Sequence, residues 1–210
     1  MKVLIVAATE FEIKPLIQAQ RNVEMLITGI GSSATIYHLT KKLLTNHYDL
    51  VIQAGIAGMF AGKFTLGAVV AVKEDAFADI GIEEKGELRT LFEYGFLNKN
   101  EFPFSDGKLL NPSVILEKIP LHAATAITVN MVSDNFVHNE NFRQKYHADI
   151  ESMEGAAFHY VCLQQKIQFL QLRSISNVAG ERDKTKWMMK EAINNLNIEL
   201  KKLVKKYSLR

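Results

Sequence analysis

The stretch "KVLIVAATEFEI", residues 2–13, decides the fold. Val3 to Ala8 are apolar at consecutive positions, whereas a strand with one wet face alternates apolar and polar residues, so this strand is expected to be covered on both faces. Thr9 and Glu12 then have the spacing of a capping box, in which the glutamate reaches back to the N-cap backbone N–H and a helix begins. A doubly covered strand running straight into a helix is the opening half of an α/β unit, which predicts a central sheet with helices packed on it.

The rest of the chain repeats that alternation. Strand-like runs occupy 2–8, 23–29, 49–55, 67–79, 125–130 and 167–176, and helix-patterned stretches fall at 10–20, 33–46, 111–119, 154–165 and 184–206. In the last of these, Met189, Ile193, Leu196, Leu200 and Leu203 form one apolar stripe. Residues 80–112 carry Gly, Asn, Pro and the aromatics Phe92, Tyr94, Phe96, Phe102 and Phe104 without a clear period. Such a segment is expected to serve as an interface or as a wall of a binding site. With 210 residues, a single domain over 1–210 is expected.

The net charge is +2 and the basic residues are scattered except in the tail "KKLVKKYSLR", which excludes a nucleic-acid footprint and reads as a solvated helix face. Cys162 is the only cysteine, so no disulfide can form within the chain, and a buried thiol is expected. The N-terminal apolar run is too short for a signal peptide, and no run of about 18 apolar residues occurs. A cytoplasmic protein without a membrane partner is expected.

Several strand exits carry glycine or polar residues. "TGIGSSA" (28–34) has part of a dinucleotide-binding glycine turn, but the next strand ends in Gln53 and Ala54 where an acidic ribose ligand belongs. "QAGIAGMF" (53–60) is either a tight turn or a place where backbone N–H groups meet an oxygen-rich ligand. In "IESMEGAAF" (150–158), Glu151 and Glu154 flank Met153; either Ser152 caps a helix with Glu154 in its favourable first turn, or Glu154 accepts from a diol. "LRSISNVAGERDKTKW" (172–187) ends a strand with Ser176 and Asn177. Ligands of parallel sheets bind beyond the carboxyl ends of strands, where Glu12, Gly55, Glu154 and Asn177 all fall.

Taken in order, "AATEFEI", "TGIG", "AGIAG", "SMEGAAF" and "LRSISN" resemble the nucleoside phosphorylase and nucleosidase superfamily, with "KEDAFADIGIE" and the stretch through "NVAGERDKTKW" to "AINNLN" most similar to its futalosine hydrolase branch. The resemblance implies a three-layer nucleoside-phosphorylase-like α/β fold with a central mixed, mostly parallel sheet flanked by helices. It also implies a small-molecule nucleoside substrate, no cofactor, no metal, and a homodimer. It makes Glu12 the general base for water, against the capping role read from "TEFE". Glu154 becomes the ligand of the ribose hydroxyls, Met153 the residue beneath the sugar, and Gly55 and Ile56 substrate-binding backbone. Arg173 corresponds to an arginine near the site, and an ion pair holding the strand exit is its alternative. Adenine-cleaving members read "SD" at the last strand exit. Asn177 here keeps two donors at any pH, which suits a 6-oxopurine such as hypoxanthine. The phosphorylases' phosphate-binding arginine loop has no counterpart in residues 6–16, which favours water as nucleophile. The open alternatives are another purine nucleosidase or a phosphorylase of this fold, a non-catalytic nucleoside-binding module, and a nicotinamide-dependent reductase.

Overall fold

The structure, a computed structural model, describes residues 1–19, 23–60 and 62–208. The first strand, β1 (Val3–Ala7), is buried at every position. Its side chains divide between two cores, which explains the unbroken apolar run. Val3, Ile5 and Ala7 join Ile13, Leu16, Ile52, Leu170, Leu196 and Leu200, while Leu4 and Val6 join Leu39, Val51, Phe158, Val161, Cys162 and Phe169. Each buried aliphatic side chain contributes about 1.5–3 kcal/mol, so a polar residue anywhere in this run would damage one core or the other.

The chain continues as α1 (Glu10–Ala19), β2 (Glu24–Ile27), α2 (Ser32–Thr45), β3 (Leu50–Met59), β4 (Val69–Phe77), β5 (Gly81–Glu84), β6 (Glu87–Thr90), β7 (Leu109–Leu110), β8 (His122–Thr128), α3 (Phe136–Tyr146), β9 (Ile150–Ser152), α4 (Gly155–Gln164), β10 (Phe169–Val178) and α5 (Met189–Ser208). Helices α1 and α5 cover the first core, and α2 and α4 the second. The main sheet runs β2-β1-β3-β9-β8-β4-β10, with β7 added to β4. Most pairings are parallel; β10 with β4, β3 with β9 and β4 with β7 are antiparallel.

The sheet also closes on itself, because β10 pairs in parallel with β3 from Val51 to Met59. Strand β3 makes this possible by its length. Leu50–Gln53 lie against β1, and beyond them Gly58 and Met59 take β9. The strand expected over 49–55 therefore runs four residues further, through the glycines of "AGIAGM".

Three elements depart from the sequence reading. The helix expected over 111–119 is only a 3-10 turn at Leu116–Lys118, confined between Pro112 and Pro120. Helix α3 lies in "FVHNENFRQKY", which has no apolar stripe. It is set instead by its ends: the Asn135 side chain accepts from the His138 N–H at 3.1 Å, and His147 closes it in the left-handed conformation. The last helix begins at Met189, because Asp183 caps a separate 3-10 turn at Lys184–Lys186. Residue 20, at the end of the expected first helix, and residues 209 and 210 of the basic tail lie outside the described residues. Among the described residues no helix is long and apolar enough to cross a membrane.

Candidate active site

Four strand exits open onto one cavity of about 310 Å³. Its walls include Thr9 and Glu12 after β1, Ile56, Ala57 and Gly58 on β3, and Glu151 to Glu154 at β9. Ser176 and Asn177 on β10, with Arg182 and Trp187 beyond it, complete the wall.

Glu12 is buried and uses both carboxylate oxygens. Oε2 accepts from the Thr9 N–H and the Thr9 hydroxyl, both at 3.0 Å, so the reach-back half of the capping box is formed. Oε1 accepts from the Ile56 N–H at 3.1 Å across the cavity floor. Burial raises its pKa above the ordinary 4.5, against the lowering effects of the Arg173 charge and the two backbone N–H groups; the nearby Glu154 charge pushes it further up.

The position of Glu12 depends on a contact to its own helix. Pro15 lies inside α1, and the buried side chain of Asn197 from α5 bonds the turn that leads into it. Its Oδ1 accepts from the Leu16 N–H at 3.0 Å, while its Nδ2 donates to the Glu12 carbonyl at 2.8 Å. The two backbone groups that an α-helix pairs with each other thus bond to one amide.

Glu154 stands at the N-cap of α4. Its Oε1 accepts from the Gly31 N–H at 3.0 Å, and its Oε2 lies 3.5 Å from Arg173 Nη1. The glycine turn 28–34 therefore aims its backbone at a carboxylate of the protein itself. Gly29 and Gly31 hold φ of 85° and 93°, the left-handed region that glycine enters freely.

Arg173 does not line the cavity. It is 1% exposed, donating to Gln171 at 2.9 Å and to Gln53 at 3.1 Å, with Ile56 O and Glu154 beside Nη1. Its place beneath the carboxylates matches the ion-pair alternative. Gly55 also lies under the site: a Cβ there would collide with the Arg173 guanidinium and stand 3.0 Å from Glu12 Oε1. Behind them, Gln171 donates to Asp75, which also accepts from Thr128, whose hydroxyl accepts from the Ala156 N–H at the start of α4. Asp75 is fully buried, and that burial lifts it to about 6 despite these donors.

Asn177 reaches the cavity on β10, its Oδ1 accepting from the Ser176 hydroxyl at 2.7 Å and its Nδ2 donating to Val178 O at 2.9 Å. The structure thus brings Glu12, Ile56, Met153, Glu154 and Asn177 to one cavity and sets Gly55 and Arg173 beneath it. The sequence showed Glu151 beside Met153 but gave it no role, though it projects from β9 into the same space, and it gave no hint of Asn197. The signal for Glu151 was the strand register opposite Gly58, which only the folded pairing supplies. No residue of 80–112 lines the cavity; Phe92 packs on Phe104, and Phe104 on Tyr160 of α4. Among the described residues no group of three or more His, Cys, Asp or Glu is placed to hold a metal ion.

The comparisons fit this geometry. A futalosine hydrolase from Thermus thermophilus is 31% identical over 85% of this chain and 80% of its own length. A 5'-methylthioadenosine/S-adenosylhomocysteine nucleosidase from Tolumonas auensis is likewise 31% identical, over 86% of this chain and 78% of its own length. A crystal structure of the same kind of nucleosidase from Neisseria meningitidis superposes with a TM-score of 0.81 over 98% of this chain and all of that one, at 18% identity. The phosphorylase superfamily model matches residues 19–207, so the chain belongs to the phosphorylase superfamily.

Proposed function

We propose that the protein is a cytoplasmic, homodimeric hydrolase that cleaves the N-glycosidic bond of futalosine, the substrate for which its Thermus relative is named, and releases hypoxanthine. One observation carries the choice among related activities: the side chain at the end of β10 that faces the cavity is the amide of Asn177 rather than a carboxylate. An amide donates at every pH, and with one N–H of Asn177 on Val178 O the other is left for an acceptor of a 6-oxopurine, ring nitrogen 7 or the oxo group.

In this reading Glu12, held by Thr9 and Ile56, orients a water molecule and takes its proton as the water attacks the anomeric carbon. A positioned base of this kind contributes typically 10²–10⁴-fold. Glu154 accepts from the ribose hydroxyls and offsets the positive charge that builds on the sugar ring. Met153 packs beneath the ring, Ile56 supplies cavity-lining backbone, and Asn177 donates to the leaving base. Gly55 and Arg173 serve by supporting the carboxylates. A buried single thiol, Cys162, is at home in a reducing compartment. Phe11 and Ile30, at the cavity, are 60% and 63% exposed, and a second copy that covers them would enclose the substrate.

The alternative of a methylthioadenosine-type nucleosidase rests on the equal identity to the Tolumonas protein. Incubation with futalosine, methylthioadenosine and inosine in parallel, with chromatography of the released base, separates the two. Hypoxanthine from futalosine as the fastest reaction is the expected result; adenine from methylthioadenosine as the fastest would favour the alternative.

A further inference from the structure

Strands β9, β3 and β10 lie side by side at the cavity, and their registers align three residues in one row. Glu151 is opposite Gly58 on one side, and Asn177 is opposite Gly58 on the other. The middle residue has no side chain. A Cβ on Gly58 would stand 3.3 Å from Glu151 Oε1 and 3.4 Å from Asn177 Nδ2, so the two polar side chains converge over the glycine. Neighbouring strands are about 4.8 Å apart, and the row therefore leaves a slot one residue wide between a carboxyl group and an amide.

Glu151 has no use inside the protein. It is 5% exposed and lines the cavity, and its side chain makes no hydrogen bond or ion pair with a described residue, Arg182 acting on it only through its charge. Buried carboxyl groups are normally paired, so an unpaired one aimed into a cavity points to a ligand. Glu12 and Glu154 differ in this respect, since both accept backbone N–H groups.

Resting on the reading of the substrate as a 6-oxopurine nucleoside, we propose that Glu151 is a specificity-determining residue that accepts the ring N1–H of the base, while Asn177 across Gly58 donates the N–H not held by Val178 O to ring nitrogen 7. The edge of a 6-oxopurine presents acceptor, acceptor and donor in that order, so an amide N–H suits one end of it and a carboxyl oxygen the other. Either protonation state of Glu151 offers an accepting oxygen, and burial, opposed by the charge of Arg182, lifts this group to about 7. The neutral acid can also donate to the oxo group as negative charge grows on the leaving base.

The test is calorimetric binding of hypoxanthine and 1-methylhypoxanthine, which lacks the N1–H, to the wild type, Glu151→Leu and Glu151→Gln. The wild type should prefer hypoxanthine by about tenfold or more. Glu151→Leu keeps the bulk and removes the acceptor, so the preference should collapse. Glu151→Gln retains an amide oxygen and should keep part of it. A wild type that binds both bases equally overturns the proposal, as does Glu151→Leu with an unchanged ratio, which would mean simple steric exclusion. Hypoxanthine release from futalosine by such an unselective protein would sink this inference alone, whereas failure to bind hypoxanthine at all would sink the substrate reading with it.

Discussion

Glu12 divides its carboxylate between a local contact and a distant one: Oε2 closes the turn at Thr9, and Oε1 spans to Ile56 on β3. Glutamine has one acceptor oxygen, so Glu12→Gln can keep one of these bonds and turns an N–H₂ toward the other donor. The expected cost in stability is about 1 kcal/mol, while kcat on futalosine should drop about 10²-fold or more because an amide cannot take a proton from water. Steady-state rates beside thermal melts check this; a variant with near-wild-type kcat would reduce Glu12 to a cap. Glu151 makes a different prediction, about pH. Its pKa rises from 4.5 to about 7 on burial, so the folded state holds the proton more tightly than the unfolded chain. Its contribution to stability is complete below 4.5 and is lost as pH rises to about 7. Glu151→Gln carries no such group, so its stability relative to wild type should improve by up to about 3 kcal/mol between pH 4.5 and 7.5, then level off. Urea melts at pH 5 and pH 8 measure the shift, and an equal stability difference at both values would refute it.

Helix α1 carries Glu12 and contains Pro15, and what holds its first turn in place is α5, through Asn197. Asn197→Leu keeps the volume but leaves the Leu16 N–H and the Glu12 carbonyl buried without that partner. A loss of about 2–4 kcal/mol is expected, together with a reduced kcat from displacement of Glu12. If the variant melts like the wild type, the Asn197 bonds do not fix α1. Such a contact is not legible in the sequence, because it joins residues 181 apart by a side chain that "AINNLN" offers in three copies. Elements with a strong period were legible: β1 from its continuous apolar run, and α5 from a stripe whose Leu196, Leu200 and Leu203 are all buried. Helix α3 was hidden because its stability comes from caps and from Phe142 and Tyr146 packed on a small separate core, not from an apolar face. At the site, the residues that follow strands were readable from the α/β rule alone. The resemblance assigned their roles. Glu151 and Gly58 required the register across three strands, and the burial of Arg173 and Gly55 required the third dimension.

Closure of the sheet through β3 and β10 gathers the strand exits around one cavity, and large apolar side chains stay exposed, Phe11 and Ile30 beside the cavity at 60% and 63% and Phe136 at the start of α3 at 78%. Exposed apolar surface of this kind fits an interface, so sedimentation velocity at micromolar concentration should show a dimer; a fully active monomer would exclude that arrangement. The cavity itself contains carboxylates and polar groups for water attack, and Arg173, the cation paired with Glu154, is engaged by Gln171, Gln53 and Glu154. The most direct measurement is therefore the rate of hypoxanthine release from futalosine with and without inorganic phosphate, with the sugar product identified. The account predicts the same rate in both and a free reducing sugar; a rate that depends on phosphate and yields a sugar 1-phosphate, or no hypoxanthine at all, would contradict it.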